Sequence, residues 1–240
     1  MSTPAVGDSA GVVLVSGEYP ALAEVLAKWG FTPVETLFDF RLPGPVAYHP
    51  DMQACVMGRE IFVLRDSPLK AKLAGYGLSV RETEKQPQKR YPGDVLCNGF
   101  VWGPWLVANP RTLDLGILEA AQALGLGMLR VRQGYAGCSV ARVDGNAAIT
   151  ADLGMAKCLE RAGFRVLRIR PGFISLPGYD TGFIGGCCAK LAPDILTVSG
   201  RLDSHPDGKR MKDFVESCGV SVWEMTDMAL TDVGGILRLV

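Results

Sequence analysis

Charge of one sign is missing from this chain. Its 240 residues carry 25 Lys+Arg and 25 Asp+Glu, a formal net charge of zero. A duplex-binding surface draws on a basic surplus gathered on one face, so nucleic acid is not expected as a partner. The one dense charge run, RETEKQPQKR over 81–90, mixes both signs and reads as a solvated strand end and loop. The opening stretch MSTPAVGDSAGVVLV has no basic flank and no long apolar run. That argues against a secretory signal or a membrane span and gives the expectation of a cytoplasmic protein with a flexible stretch over 1–11.

No CxxC occurs, and the seven cysteines at 55, 97, 138, 158, 187, 188 and 218 show no staple-like spacing. Thiols are expected rather than a disulfide framework. Neither a metal nor a cofactor is expected; neighbouring Cys187 and Cys188 would point to opposite faces of a regular strand. Histidine is scarce, with His49 and His205 alone. No GxGxxG or GxxxxGKS/T follows the first apolar run, which removes the usual phosphate-binding signature of a doubly wound domain.

What is present is a repeat. At 48% hydrophobic composition the chain can bury a sizeable core without disulfides. Five short apolar runs, at 12–15, 61–64, 105–108, 147–150 and 195–198, read as buried strands. Each precedes an amphipathic stretch: YPALAEVLAKWG, SPLKAKLAGYG, LDLGILEAAQALG, ADLGMAKCLERAG and HPDGKRMKDFVESCG. Apolar residues recur there at three and four, as in Leu22, Val25 and Leu26 or Met211, Phe214 and Val215, the stripe of a helix lying on a sheet.

All five helical stretches end on glycine and an apolar residue: Gly30-Phe31, Gly77-Leu78, Gly125-Leu126, Gly163-Phe164 and Gly219-Val220. Glycine there accepts the left-handed conformation that stops a helix. Ser67, Thr150 and Asp152 mark helix starts. A strand follows each stop, and a returning strand follows that: YHPDMQACVMG, YPGDVLCNGFVWG, YAGCSVARVDG, YDTGFIGGCCAKL and TDVGGILRLV. Asp144-Gly145 suits a tight hairpin, and Asn98-Gly99 is read the same way. The predicted architecture is α/β, a single domain over 12–240 of five strand–helix–strand–strand units around a pseudo-fivefold axis. The repeats fall at about 12–58, 59–103, 104–145, 146–192 and 193–240.

In a closed ring, residues leading into the returning strands converge on the axis and form a pocket. These are His49, Asp51, Asp94, Cys138, Asp180 and Asp232. Cys138 and His49 are a candidate nucleophile and general acid/base. The four aspartates are candidates for holding a cationic small molecule or orienting the catalytic pair. Other readings stand beside this one: aspartate commonly caps turns, and cysteine commonly fills apolar holes. Trp102 and Trp105 are candidates for one rim, and His205 for a helix-start turn.

The repeat, together with Gly93-Asp94 in YPGDVLCNG and Asp180-Thr181 in YDTGF, resembles the pentein superfamily of guanidino-group-modifying enzymes. That group includes arginine deiminase, dimethylarginine dimethylaminohydrolase and the amidinotransferases. The resemblance implies a five-bladed α/β propeller and cysteine-dependent hydrolysis or transfer at a guanidine or amidine carbon. The sequence departs from the family at two places. The family's catalytic histidine aligns near Gly178, and its late nucleophilic cysteine aligns with DVGGILRLV, which has no thiol. An enzyme with relocated groups, an inactive binder of a guanidine-type cation and an interaction protein are the three readings left open, and oligomeric state is not legible.

Overall fold

A computed structural model describes residues 11–239. In chain order the elements run β1 (Val12–Val15), α1 (Pro20–Lys28), β2 (Thr32–Glu35), α2 (Pro50–Gln53), β3 (Ala54–Met57), β4 (Glu60–Val63), α3 (Leu69–Ala74), β5 (Ser79–Glu82), β6 (Phe100–Trp102), β7 (Trp105–Ala108), α4 (Leu115–Ala123) and β8 (Gly127–Arg130). There follow β9 (Ala141–Arg142), β10 (Ala147–Thr150), α5 (Leu153–Arg161), β11 (Arg165–Arg168), β12 (Cys188–Ala192), β13 (Ile195–Val198), α6 (Gly208–Glu216), β14 (Ser221–Glu224) and β15 (Leu237–Arg238).

The described strands form five three-stranded sheets of one design. A middle strand pairs parallel with an outer strand across the helix and antiparallel with an inner strand, as in β3-β4-β5. The first sheet takes its inner strand from the far end of the sequence, since β15 pairs antiparallel with β1. The ring is thereby closed. The expectation of flexibility over 1–11 falls outside the described residues apart from Gly11, whose carbonyl accepts from the Thr32 amide.

The five stop glycines have φ between 70° and 92°. After four of them the next amide, of Phe31, Leu126, Phe164 and Val220, bonds the carbonyl five residues back, the bond expected when a helix ends in a left-handed turn. Starts are capped as well. Asp152 accepts from the Met155 amide at 2.7 Å, and Ser67 accepts from Leu69. Asp114 caps α4 through Gly116 while its two oxygens also take the Glu84 and Lys85 amides of the preceding unit.

Apolar burial is divided into five wedges between neighbouring sheets, each with one helix. Leu22 and Leu26 of α1 pack with Val13, Ala189 and Leu191. Leu69 and Leu73 of α3 pack with Leu14, Ile61 and Val63. Ile117 of α4 lies with Phe62 and Leu106, Leu159 of α5 with Val107 and Ala148, and Met211 and Val215 of α6 with Ile149, Leu196 and Val198. A leucine moved fully from water contributes about 2 kcal/mol, so each wedge is substantial, and the axis is left for polar groups.

One sequence expectation fails locally. Asp144-Gly145 turns between β9 and β10, but the turn of the third sheet is Gly103-Pro104, between β6 and β7. Asn98-Gly99 lies ahead of β6, where the Asn98 side chain has a different task.

Candidate active site

The five inner strands β3, β6, β9, β12 and β15 start around the axis, and the corners that feed them are tied in a closed belt. Asn98 Nδ2 donates to the Asp51 carbonyl at 3.2 Å, and Asn98 Oδ1 accepts from the Gly137 amide at 2.7 Å. The Gly186 amide donates to the Cys138 carbonyl, the Val233 and Gly235 amides donate to the Gly186 carbonyl, and the Asp51 amide donates to the Gly234 carbonyl. Each corner thus holds the next. Close approach requires glycine at several points. A Cβ at Gly186 would collide with the Asp232 carboxylate, one at Gly185 with the Gly137, Cys138 and Val140 carbonyls, and one at Gly234 with His49.

Inside the belt lie four of the predicted side chains. Cys138 Sγ donates to Asp51 Oδ2 across 2.9 Å and accepts from Asn98 Nδ2 at 3.0 Å. Asp232 accepts from the Phe183 amide at 2.8 Å and the Gly234 amide at 3.0 Å. His49 Nδ1 is 3.7 Å from Asp232 Oδ1, and both side chains are 1% exposed. Neither ring nitrogen of His49 has a hydrogen-bond partner, nor has Asp51 Oδ1.

Burial governs the protonation of this quartet. It drives the His49 pKa down to about 4, leaving the imidazole neutral at pH 7. It lifts Asp232 to about 6, against the two amides that favour its ionised form. Asp51 is pushed well above the usual carboxylate range by burial and then by the Asp232 charge. The Cys138 thiol is pushed well up by burial, then by Asp51 and Asp232, with Asn98 opposing. At rest the pair is a thiol donating to a carboxyl group.

Asp94 precedes the second corner. Its Oδ2 accepts from the Tyr135 hydroxyl at 2.6 Å, while Oδ1 is buried without a partner. Tyr135 stacks with Tyr91 on one side and Phe183 on the other, at centroid distances of 6.1 and 5.9 Å.

Asp180 does not join the set. It is exposed, because the fourth corner is Gly185-Gly186, five residues further on, where neighbouring groups press in. At Gly178, φ is 92° and Pro45 lies against the backbone. The last corner holds Gly234-Gly235, with Gly234 against His49. Asn98, Tyr135 and the glycine corners were missed by sequence reasoning. Only the periodic placement of Asn98 two residues ahead of an inner strand could have flagged it.

A cavity of about 640 Å³ runs along the axis from these corners to the hairpin tips. Asp51, Gly137, Gly185 and Gly234 line its corner end, and Cys138, His49 and Asp232 do not line it. Trp102 lines it and donates from Nε1 to the Asp144 carbonyl, whereas Trp105 packs on Gly127. His205 lies elsewhere, accepting from the Asp207 amide just ahead of α6. No group of three His, Cys, Asp or Glu side chains among the described residues is arranged to hold a metal ion. No described helix is long and apolar enough to cross a membrane.

A family model described as a family of unknown function (DUF6873) matches residues 14–237. The chain belongs to this family. No curated protein matches it by sequence. Among solved structures, the fold of this DUF6873 member is similar to dimethylarginine dimethylaminohydrolase in an adduct with S-methyl-L-thiocitrulline. That match has a TM-score of 0.60 and 10% identity over 95% of this chain and 99% of the other. It is also similar to DDAH from Pseudomonas aeruginosa complexed with citrulline, with TM-score 0.57 and 10% identity over 95% and 98%. A third is SxtG, an amidinotransferase from Microseira wollei in the saxitoxin biosynthetic pathway, with TM-score 0.56 and 11% identity over 97% and 95%. At such identities the likeness establishes the fold, and the DUF6873 chain has the pentein propeller fold.

Proposed function

We propose that this chain acts on a small molecule bearing a guanidine or amidine group, with Cys138 as nucleophile, in hydrolysis or group transfer. The observation that carries the reading is the contact of Cys138 Sγ with Asp51 Oδ2 at 2.9 Å, beside an unpartnered Asp51 Oδ1. Buried polar atoms are rarely left unpaired, and a planar cation with several N–H donors satisfies such oxygens through charge-assisted bonds. Asp94 Oδ1 offers a second, beside the Tyr91–Tyr135–Phe183 ladder, a surface suited to a flat cation. The structural relatives with citrulline and S-methyl-L-thiocitrulline bound lend support.

The resting protonation states dictate the sequence of steps. A bound guanidinium favours ionised Asp51, which takes the Cys138 proton. The thiolate adds to the central carbon, forming a C–S bond. One C–N bond then breaks as Asp51 returns its proton to the departing nitrogen, leaving a cationic S-bound amidine and a neutral amine or ammonia. Neutral His49 accepts a proton from an attacking water; as the C–S bond breaks His49 returns that proton to the sulfur, and the ureido product gives up its extra proton to the released amine. In transfer, an acceptor amine replaces that water. Here the nearby Asp232 carboxylate stabilises the transient charge on His49.

A second reading, a binder without turnover, is favoured by one observation. Cys138 is 3% exposed, and no hydrogen bond joins it to His49. Chloroacetamidine labelling with mass-spectrometric mapping, combined with product assays on arginine and agmatine, separates the two. Catalysis predicts labelling of Cys138 that is suppressed in Asp51→Asn and His49→Ala, with ammonia or amine released by wild type and not by Cys138→Ser. Thermal stabilisation by a guanidine with an inert Cys138 and no product supports the binder. No labelling, product or stabilisation would sink both.

A further inference from the structure

The register of the five inner strands picks out one ring of equivalent residues. Each middle strand has a second position, Val13, Ile61, Leu106, Ala148 or Leu196. Opposite these stand Arg238, Val56, Val101, Arg142 and Lys190 respectively. All five line the axial cavity. One rung of the propeller therefore consists of three cations on the successive inner strands β9, β12 and β15, facing two valines on β3 and β6.

We propose that the axial cavity binds a small organic anion, its acidic head on the Arg142–Lys190–Arg238 arc and its apolar part against Val56 and Val101. Two of the cations also bind the carbonyl of a neighbouring inner strand. Arg142 Nη1 donates to the Val101 carbonyl at 3.0 Å and Arg238 Nη1 to the Leu191 carbonyl at 2.7 Å, each capping the neighbouring inner strand. For Arg142, a carbonyl satisfies one N–H without neutralising the guanidinium. The equivalent group on β12 has no such bond: Lys190 Nζ is buried with no hydrogen-bond partner.

Neither Lys190 nor Arg142 forms an ion pair among the described residues, although the surface arginines Arg41, Arg170 and Arg201 all do. The carboxylates on the cavity wall are Asp144, near the hairpin tip, and Asp51, at the corner end. Asp144, and Asp194 beyond the wall, act on Lys190 through their charge without coming within ion-pair distance, and burial holds Asp51 toward its neutral form. Burying a cation without an ion-pair partner is costly; both residues are half-buried, and burial lowers the proton affinity of Arg142 and, against the charges of Asp144 and Asp194, of Lys190. An anionic head supplies the missing charge and an acceptor for Lys190. Carboxylate and phosphate heads share that chemistry, and the valine side and Trp102 accommodate a short hydrocarbon body.

Calorimetric titration of the full chain at low ionic strength, with sodium hexanoate, inorganic phosphate and hexylammonium as probes, tests the site. Hexanoate is expected to bind, phosphate more weakly, and hexylammonium not at all. Lys190→Met keeps the stem, removes an ammonium that has no partner, and is expected to melt no lower than wild type. Its hexanoate affinity should fall about tenfold or more, the value of one hydrogen bond to a charged group. Unchanged hexanoate binding in Lys190→Met overturns the proposal, as does hexylammonium binding as tightly as hexanoate, or no binding of either anion. Should Lys190→Met fail to fold, wild-type affinity in rising sodium chloride decides instead: hexanoate binding that does not weaken also overturns it.

Discussion

His49 Nδ1 and Asp232 Oδ1 stand 3.7 Å apart with both side chains sealed from water, and burial shifts them in opposite directions along the pH scale. His49 titrates near 6.5 when unfolded and near 4 when folded. As pH falls through that window the unfolded chain takes up a proton that the folded chain refuses, so stability is lost, by about 3 kcal/mol in all. Asp232 is lifted from 3.8 to about 6. Its contribution is full in acid and is lost as pH rises through 6, again by about 3 kcal/mol. The two slopes oppose each other in wild type. His49→Gln should therefore be relatively more stable at pH 4.5 than at pH 8, and Asp232→Asn the reverse. Urea unfolding of both variants across this range checks the sign, and identical pH slopes in the two would refute it.

Asn98 secures three corners of the belt at once. Asn98→Ala removes its bonds to the Asp51 carbonyl, the Gly137 amide and the Cys138 sulfur and leaves buried groups unpaired. A loss of about 3 kcal/mol is expected from denaturant melts. Asn98→Asp, which keeps the acceptor but sets a carboxylate beside Cys138, should slow alkylation of that thiol by neutral iodoacetamide.

Gly186→Ala forces a methyl group into the Asp232 carboxylate, and Gly234→Ala meets His49 while also straining a φ of 75°. Each should cost about 3 kcal/mol. Gly145→Ala, with open space around it, should stay within about 1 kcal/mol of wild type. Thermal melts of the three variants rank them, and an equal ranking would contradict the close-approach account.

Two helix caps separate local from long-range stabilisation. Asp152→Ala removes the cap on Met155 and a contact with Gln133, for about 1 kcal/mol. Asp114→Ala removes a cap and also frees the Glu84 and Lys85 amides of the adjoining unit, so roughly twice that loss is expected from chemical denaturation.

Much of the propeller was legible because its signals are local. Apolar runs, three-four stripes and glycine stops all act within one unit, and five copies make the pattern plain. The gathering of Cys138, Asp51, His49 and Asp232 followed from the ring idea alone. Asp180 escaped because the spacing between its unit's outer strand and its corner is longer than in the others, and no periodicity records that. Asn98-Gly99 looked like a hairpin because the dipeptide is a turn former wherever it stands. The cationic rung was invisible: Arg142, Lys190 and Arg238 sit in unlike local sequences, and only strand register makes them equivalent.

The pairing of β15 with β1 has a temporal consequence. As the chain emerges from the ribosome, four sheets can form from segments made close together, but the first must keep an open edge until the far end arrives. The partner that faces His49 arrives with that same last segment. Until then the imidazole has no wall on that side, so a nascent or shortened chain would display a nearly whole propeller with an unfinished centre.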